Sequence, residues 1–220
     1  MWCIPKLTQE FIERMEDVLD LYAKSYDPRE PVICIDEKSK ELREDTRVCK
    51  KPHGKKLRRR DYEYKRNGTA NIFVTVEPKG GYRTVRVTKR RARPDFAREL
   101  RRIISLPRYC GVRTLHIVLD NLNTHNETSL VETFGSKEAV RLLQNVKFHY
   151  TPKHASWLDM AEIEIGVMSA QAIKGRIAST EKLVTTLRAW QKRRNQKHAT
   201  IDWMFTKRIA REKFKYRVGN

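Results

Sequence analysis

The chain has no closely spaced pair of cysteines. Cys3, Cys34, Cys49 and Cys110 are scattered, with no CxxC and no neighbouring Cys/His cluster. Structural zinc sites draw on close-spaced ligand pairs, so a zinc module is set aside. Cys34, inside an apolar run, is read as a small core residue. No window approaches the roughly 20 apolar residues that span a bilayer. The first residues carry acidic charge early with no long apolar run behind them, so neither a membrane segment nor a secretory leader is expected. The setting implied is a reducing one, cytoplasmic and associated with the nucleoid. Repeats and low-complexity tracts are absent as well.

Acidic charge is scarce. Across 220 residues, 47 Lys and Arg face 27 Asp and Glu, a formal charge of +20. Such an excess favours a polyanionic partner, and nucleic acid is the commonest one. Hydrophobic residues make up 39% of the chain, modest for a core yet above the level of a disordered chain. One sizeable domain, or one with additions, fits the length.

Hydrophobic periodicity places the elements. Residues 8–26 carry Phe11, Met15, Val18, Leu19 and Tyr22 at helical spacing behind Thr8, a plausible N-cap. "PVICID" predicts a short strand over 31–36, and the polar, basic residues 38–69 predict an exposed connection. "ANIFVTVEP" and "YRTVRVTKR" flank Lys79-Gly80-Gly81 and predict a hairpin. "RPDFARELRRIISL" predicts a helix, residues 114–120 a strand, "SKEAVRLLQN" a helix and "VKFHYTP" a strand. "SWLDMAEIEIGVMSAQAI" and "STEKLVTTLRAWQKRRNQK" predict two closing helices. This order describes an α/β fold of ribonuclease H-like type, a five-stranded mixed sheet flanked by helices. The expected division is an N-terminal helix and connection over 1–30, a core over 31–178, and a C-terminal helix with a basic tail over 179–220.

Three acids stand where apolar segments meet polar loops. Asp36 closes "VICIDEK", Asp120 closes "HIVLDN", and Glu162 lies in the helix after the last strand. If the first and fourth strands are adjacent and parallel, Asp36 and Asp120 emerge at one sheet edge, where open α/β sheets bind ligands. Hard oxygen ligands of this kind suit Mg²⁺ or Mn²⁺, and two such ions serve phosphoryl transfer. Two carboxylates about 4 Å apart otherwise repel by on the order of 1 to 4 kcal/mol. Each acid alone has an ordinary reading, as a turn residue, a cap or a solvated helix position. Glu37, Asp159 and Glu164 compete in the same segments. Strand alternation puts Asp36 on the Cys34 face and Glu37 on the other, so only one of the two should join the site. On the helix Asp159 shares the face of Glu162, whereas Glu164 is turned about 200° away.

The blocks "VICIDEK", "DYEYKRNGTANIFVTVEP", "VTKRRARPDFA", "LDNLNTH" and "FHYTPKHASWLDMAEIEI" together resemble the transposases of the insertion sequence 630 family, within the Tc/mariner superfamily. The resemblance runs from Trp2 to about Phe214 and rests on long motifs. It implies a ribonuclease H-like domain whose catalytic, metal-binding Asp-Asp-Glu triad falls on Asp36, Asp120 and Glu162, with two divalent ions. It further implies cleavage at a transposon end, strand transfer into double-stranded DNA, a TA target and a homodimer or larger assembly. The chain departs from the family at Ala155 and Asp159, where Gly and Asn are usual. A further negative charge at 159 either stiffens metal binding or marks relaxed constraint. Family members carry helix-turn-helix domains upstream, and here the first helix leads straight into the catalytic strand, so the catalytic portion alone is expected.

Candidate DNA contacts are Arg58, Arg59 and Arg60, Arg90 and Arg91, Asn121, His125, Lys153 and His154. Trp157 is a stacking candidate whose ordinary reading is a core anchor. Two alternatives stay open: a basic nucleic-acid-binding protein without catalysis, and another ribonuclease H-like nuclease acting on RNA hybrids or junctions.

Overall fold

The computed structural model describes residues 7–47, 61–122 and 125–216. Five strands, β1 (Val32–Asp45), β2 (Tyr64–Glu77), β3 (Tyr82–Thr88), β4 (Leu115–Leu119) and β5 (Val146–Tyr150), form one sheet in the order β3-β2-β1-β4-β5. β1 pairs antiparallel with β2, and β2 with β3. β1, β4 and β5 run parallel. This is the mixed ribonuclease H-like sheet that the order of elements predicts. β4 is buried along its whole length, because helices cover both of its faces.

Alternation along the strands sorts the core onto two faces. Ile33, Ile35, Phe73, Ile117 and Leu119 meet Phe96, Leu100 and Ile103 of α2 (Arg93–Ile104). Leu130 of α3 (Glu127–Phe134) and Leu142 of α4 (Ser136–Leu143) close that layer. On the other face Cys34, Val76 and Val118 meet Met15, Val18 and Tyr22 of α1 (Gln9–Ala23) and Met160 and Ala161 of α5 (Met160–Gln171). Leu183, Leu187 and Trp190 of α6 (Thr180–Gln196) cover Ile72 and Val74 of β2. Each fully buried side chain of this size contributes roughly 1.5–3 kcal/mol. Among the described residues no helix is long and apolar enough to cross a membrane.

The structure differs from the periodicity in three places. β1 continues nine residues past Asp36, and β2 starts at Tyr64, so much of the expected connection is a polar two-stranded arm. It lacks an apolar pattern because β4 ends level with Ile35 and leaves the arm without a third strand beside it. Charge supplements the burial of Leu42 and Ala70: Arg66 Nε lies 3.0 Å from Glu41 across the strands, and Arg43, with Arg176 from beyond α5, stacks over Tyr64. A bulge between Glu41 and Arg43 bends the arm, and Gly68, at φ 90°, supplies the left-handed backbone there. Second, α3 escapes a reading of apolar spacing, although its cap is legible: Asn126 accepts from Ser129 N at 3.1 Å. Third, α7 (Lys207–Phe214), capped by Thr206, forms in the basic tail and buries Ala210.

Candidate active site

The parallel ladder between β1 and β4 ends with Ile35 opposite Leu119. Asp36 and Asp120 are the next residues in that register, so both acids stand where β4 stops. Asp36 is not the end of its strand, since it still pairs with Val74 of β2. It shares the face of Cys34, the face covered by α5. Its Oδ1 accepts from Glu37 N at 2.7 Å. Burial pushes the Asp36 carboxyl up to about 7, and the charges of Asp120, Glu37 and Glu162 add to the rise against that hydrogen bond. The charges of Asp120 and Glu162 therefore reach the Asp36 carboxyl.

Glu162 is exposed in the first turn of α5. The start of α5 is fixed from three sides. Asp159 caps it by accepting from Ala161 N at 2.8 Å. Tyr22 of α1 donates to Leu158 O at 2.8 Å, and its hydroxyl lies 3.4 Å from Cys34 Sγ of β1. Asp159 is 1% exposed, and its Oδ2 has no hydrogen-bond partner. Burial holds its carboxyl well above the usual range, with Asp36 the leading charge pushing the same way. A protonated Asp159 presents the shape of the expected Asn without the extra negative charge that the sequence suggests.

Glu37 points to the opposite face from Asp36, as alternation requires, yet it too connects to the site. His125 lies against Phe96 with ring centroids 4.6 Å apart. Its Nδ1 is 2.5 Å from Asp120 Oδ1, and its Nε2 is 2.9 Å from Glu37 Oε2. The second contact is one of proximity and charge, since neither Glu37 Oε2 nor His125 Nε2 has a hydrogen-bond partner. Burial disfavours the charged ring, but the two carboxylates outweigh it and raise His125 to about 9. Glu37 stays on the far face, as alternation predicts, and is linked to Asp120 only through His125, which bridges the two faces around the end of β4. His125 itself is 1% exposed, so it is placed between acids and not on a DNA surface. A charged residue facing a core layer was the available signal, since burial of Glu37 demands a partner.

Glu164 turns away from this edge into packing, as its angular position predicts. It is fully buried between Arg83 of β3 and Arg194 of α6, with Nε of Arg83 at 3.0 Å and a two-pronged contact from Arg194 at 3.1 and 3.0 Å. Trp157 is a core anchor, edge-on to Phe205 at 5.2 Å. Lys153 and His154 are exposed in the turn before α5, with His154 in the left-handed region at φ 62°. Arg90 and Arg91 are exposed beyond β3, and Arg91 reaches to 4.0 Å from Glu37. Asn121 is half-buried next to Asp120. Arg58, Arg59 and Arg60 lie outside the described residues.

The donor set is the hard-oxygen kind that suits a divalent cation, and the raised Asp36 carboxyl is the group that such a charge would relieve. The acids are not a ready-made cage, however. Among the described residues no three His, Cys, Asp or Glu side chains are gathered closely enough to hold a metal ion as they stand. Among these residues no hydrogen bond or ion pair restrains the Glu162 carboxylate, which is the exposed one of the three.

A family model described as the DDE superfamily endonuclease matches residues 31–184. The structure resembles the Mos1 mariner paired-end complex with Mn, at 15% identity and a TM-score of 0.59, over 90% of this chain and 60% of that one. Similar matches are the Mos1 transposase paired-end complex with the left transposon end (16%, TM-score 0.54, 90% and 62%) and a pre-cleavage Mos1 transpososome (14%, TM-score 0.54, 90% and 64%). At these identities the likeness is one of fold, and the chain spans about 60% of the length of the solved chains. No curated protein matches.

Proposed function

This chain belongs to the DDE superfamily of endonucleases, and from that premise we propose that it is the catalytic part of a transposase, of insertion sequence 630 type within the Tc/mariner superfamily. The observation that carries the reading is the register of β1 and β4, which brings Asp36 and Asp120 to one edge beneath the start of α5. In this reading Asp36, Asp120 and Glu162 are the catalytic acids, and they hold two Mg²⁺ or Mn²⁺ ions. Bound there, divalent ions stabilise the charge that builds up in phosphoryl transfer. The protein positions the scissile phosphate through Lys153 and His154, exposed ahead of α5, and Arg90 and Arg91 extend the basic surface along the backbone. Water hydrolyses a phosphodiester at the end of the element and frees a 3′ hydroxyl, which then attacks target DNA in line without a covalent enzyme intermediate. The partner is duplex DNA, with a TA target and a dimeric or larger assembly, in the cytoplasm at the nucleoid.

The test is nicking of supercoiled DNA with Mg²⁺, with Mn²⁺ and with EDTA, alongside an RNA–DNA hybrid. Metal-dependent DNA nicking with a hybrid rate at least tenfold lower supports the reading. Preference for the hybrid replaces it with a ribonuclease, and binding without cleavage under every condition replaces it with a nucleic-acid-binding protein.

A further inference from the structure

Asp120 stands just past the last residue of β4, and a catalytic ligand must be held within about 0.5 Å of its working position. Its hold comes from a chain of side chains. His125 Nδ1 lies 2.5 Å from Asp120 Oδ1, His125 Nε2 lies 2.9 Å from Glu37 Oε2, and Arg91 approaches the outer oxygen of Glu37 at 4.0 Å. The loop N–H of Leu122 also approaches Oδ1, at 3.4 Å. The two contacts that reach Asp120 itself, from His125 Nδ1 and Leu122 N, both fall on Oδ1, which leaves Oδ2 for the site. An apolar residue at 125 would pack on Phe96 without the cost of burying a polar ring. What the histidine adds is therefore its grip on Asp120.

We propose that Glu37 and His125 are positioning residues: His125 fixes Oδ1 of Asp120, Glu37 fixes His125, and Oδ2 is left as the one oxygen that Asp120 offers to the reaction. This rests on the reading of Asp120 as a catalytic acid. Neither residue touches DNA, because both are buried in this arrangement. Partners of this kind are worth 10- to 100-fold in metal affinity or activity when removed.

Three variants test the arrangement. His125→Leu fills the space and removes the grip; His125→Asn keeps an amide donor near the position of Nδ1; Glu37→Gln removes one charge and keeps the shape. In nicking assays His125→Leu should lower kcat about 10- to 100-fold with KM for duplex DNA within about twofold of the parent. His125→Asn should recover most of that loss. Glu37→Gln should lower kcat in the parent and change nothing further in the His125→Leu background. A metal-free crystal structure of His125→Leu should show the Asp120 carboxylate displaced, or in two conformers, with β1 and β4 unmoved. An unmoved Asp120, a loss confined to KM, Asn no better than Leu, or additive effects of the two positions would each overturn the proposal. If His125→Leu does not fold, Glu37→Gln decides, and parental kcat there overturns it. A parent that nicks no DNA refutes the transposase reading instead, and the crystal structure still decides whether His125 holds Asp120.

Discussion

Ile35 of β1 and Leu119 of β4 form the last pair of a parallel ladder, and the acids that follow them leave the sheet side by side. Everything proposed for the site depends on that pairing. A one-residue slip would turn Asp120 to the opposite face from Asp36.

The two glutamates of α5 should separate chemistry from stability. Glu164 is fully buried between two arginines, and removing one partner of such a group leaves buried charge uncompensated. Glu164→Ala should cost about 3–5 kcal/mol in chemical denaturation. Glu162→Gln, two residues earlier and exposed, should change stability by less than about 0.5 kcal/mol while removing nicking. A severe stability loss at 162 would reverse the roles.

Asp159 should behave as a buried acid kept protonated. Its folded-state value is raised above the ordinary one, so the stability it contributes is present below the unfolded value, near 3.8, and is lost as pH rises toward the folded value. Asp159→Asn keeps an oxygen to accept from Ala161 N and removes that dependence. In EDTA at pH 8 the variant should be more stable than the parent by on the order of 1 kcal/mol. Parent and variant whose stabilities change equally between pH 5 and pH 8 would contradict the protonated assignment.

Asp36 should set the pH dependence of metal binding. With its carboxyl raised to about 7, a cation must displace a proton below that value and need not above it. The metal concentration giving half of the maximal melting shift should fall as pH rises from 6 to 8. The dependence should flatten in Asp36→Asn. A pH-independent midpoint in the parent places the metal elsewhere.

Backbone contact should show as salt dependence. Affinity for duplex DNA should fall with a log–log slope of about −0.9 per phosphate neutralised. Arg90→Gln and Lys153→Gln, both at exposed positions, should each lower the magnitude of the slope by about 1 if they meet phosphates. An unchanged slope in both variants removes this surface from the DNA path.

The sheet was legible because β4 and the hairpin carry apolar runs and a Gly-Gly turn, and the two faces follow strand alternation residue by residue. The polar arm was not, because Lys38 to Asp45 are held by cross-strand charge on Tyr64 and Glu41, which leaves no hydrophobic period to read. Asp36 and Asp120 were visible as acids closing apolar runs, although β1 itself continues past Asp36. Alternation gives the face of Glu37 and carries no information about a histidine five residues beyond Asp120 that folds back around the end of β4. Asp159 shows a similar gap, since sequence assigns it an ordinary carboxyl and burial pushes that carboxyl well above the usual range.

The most direct test of the central claim is metal-dependent nicking by Asp36→Asn, Asp120→Asn and Glu162→Gln, each checked by thermal melting in EDTA. The account predicts three folded proteins that bind duplex DNA as the parent does and nick it at least a hundredfold more slowly, about 2.7 kcal/mol in barrier. Parental nicking by any one of the three would contradict it.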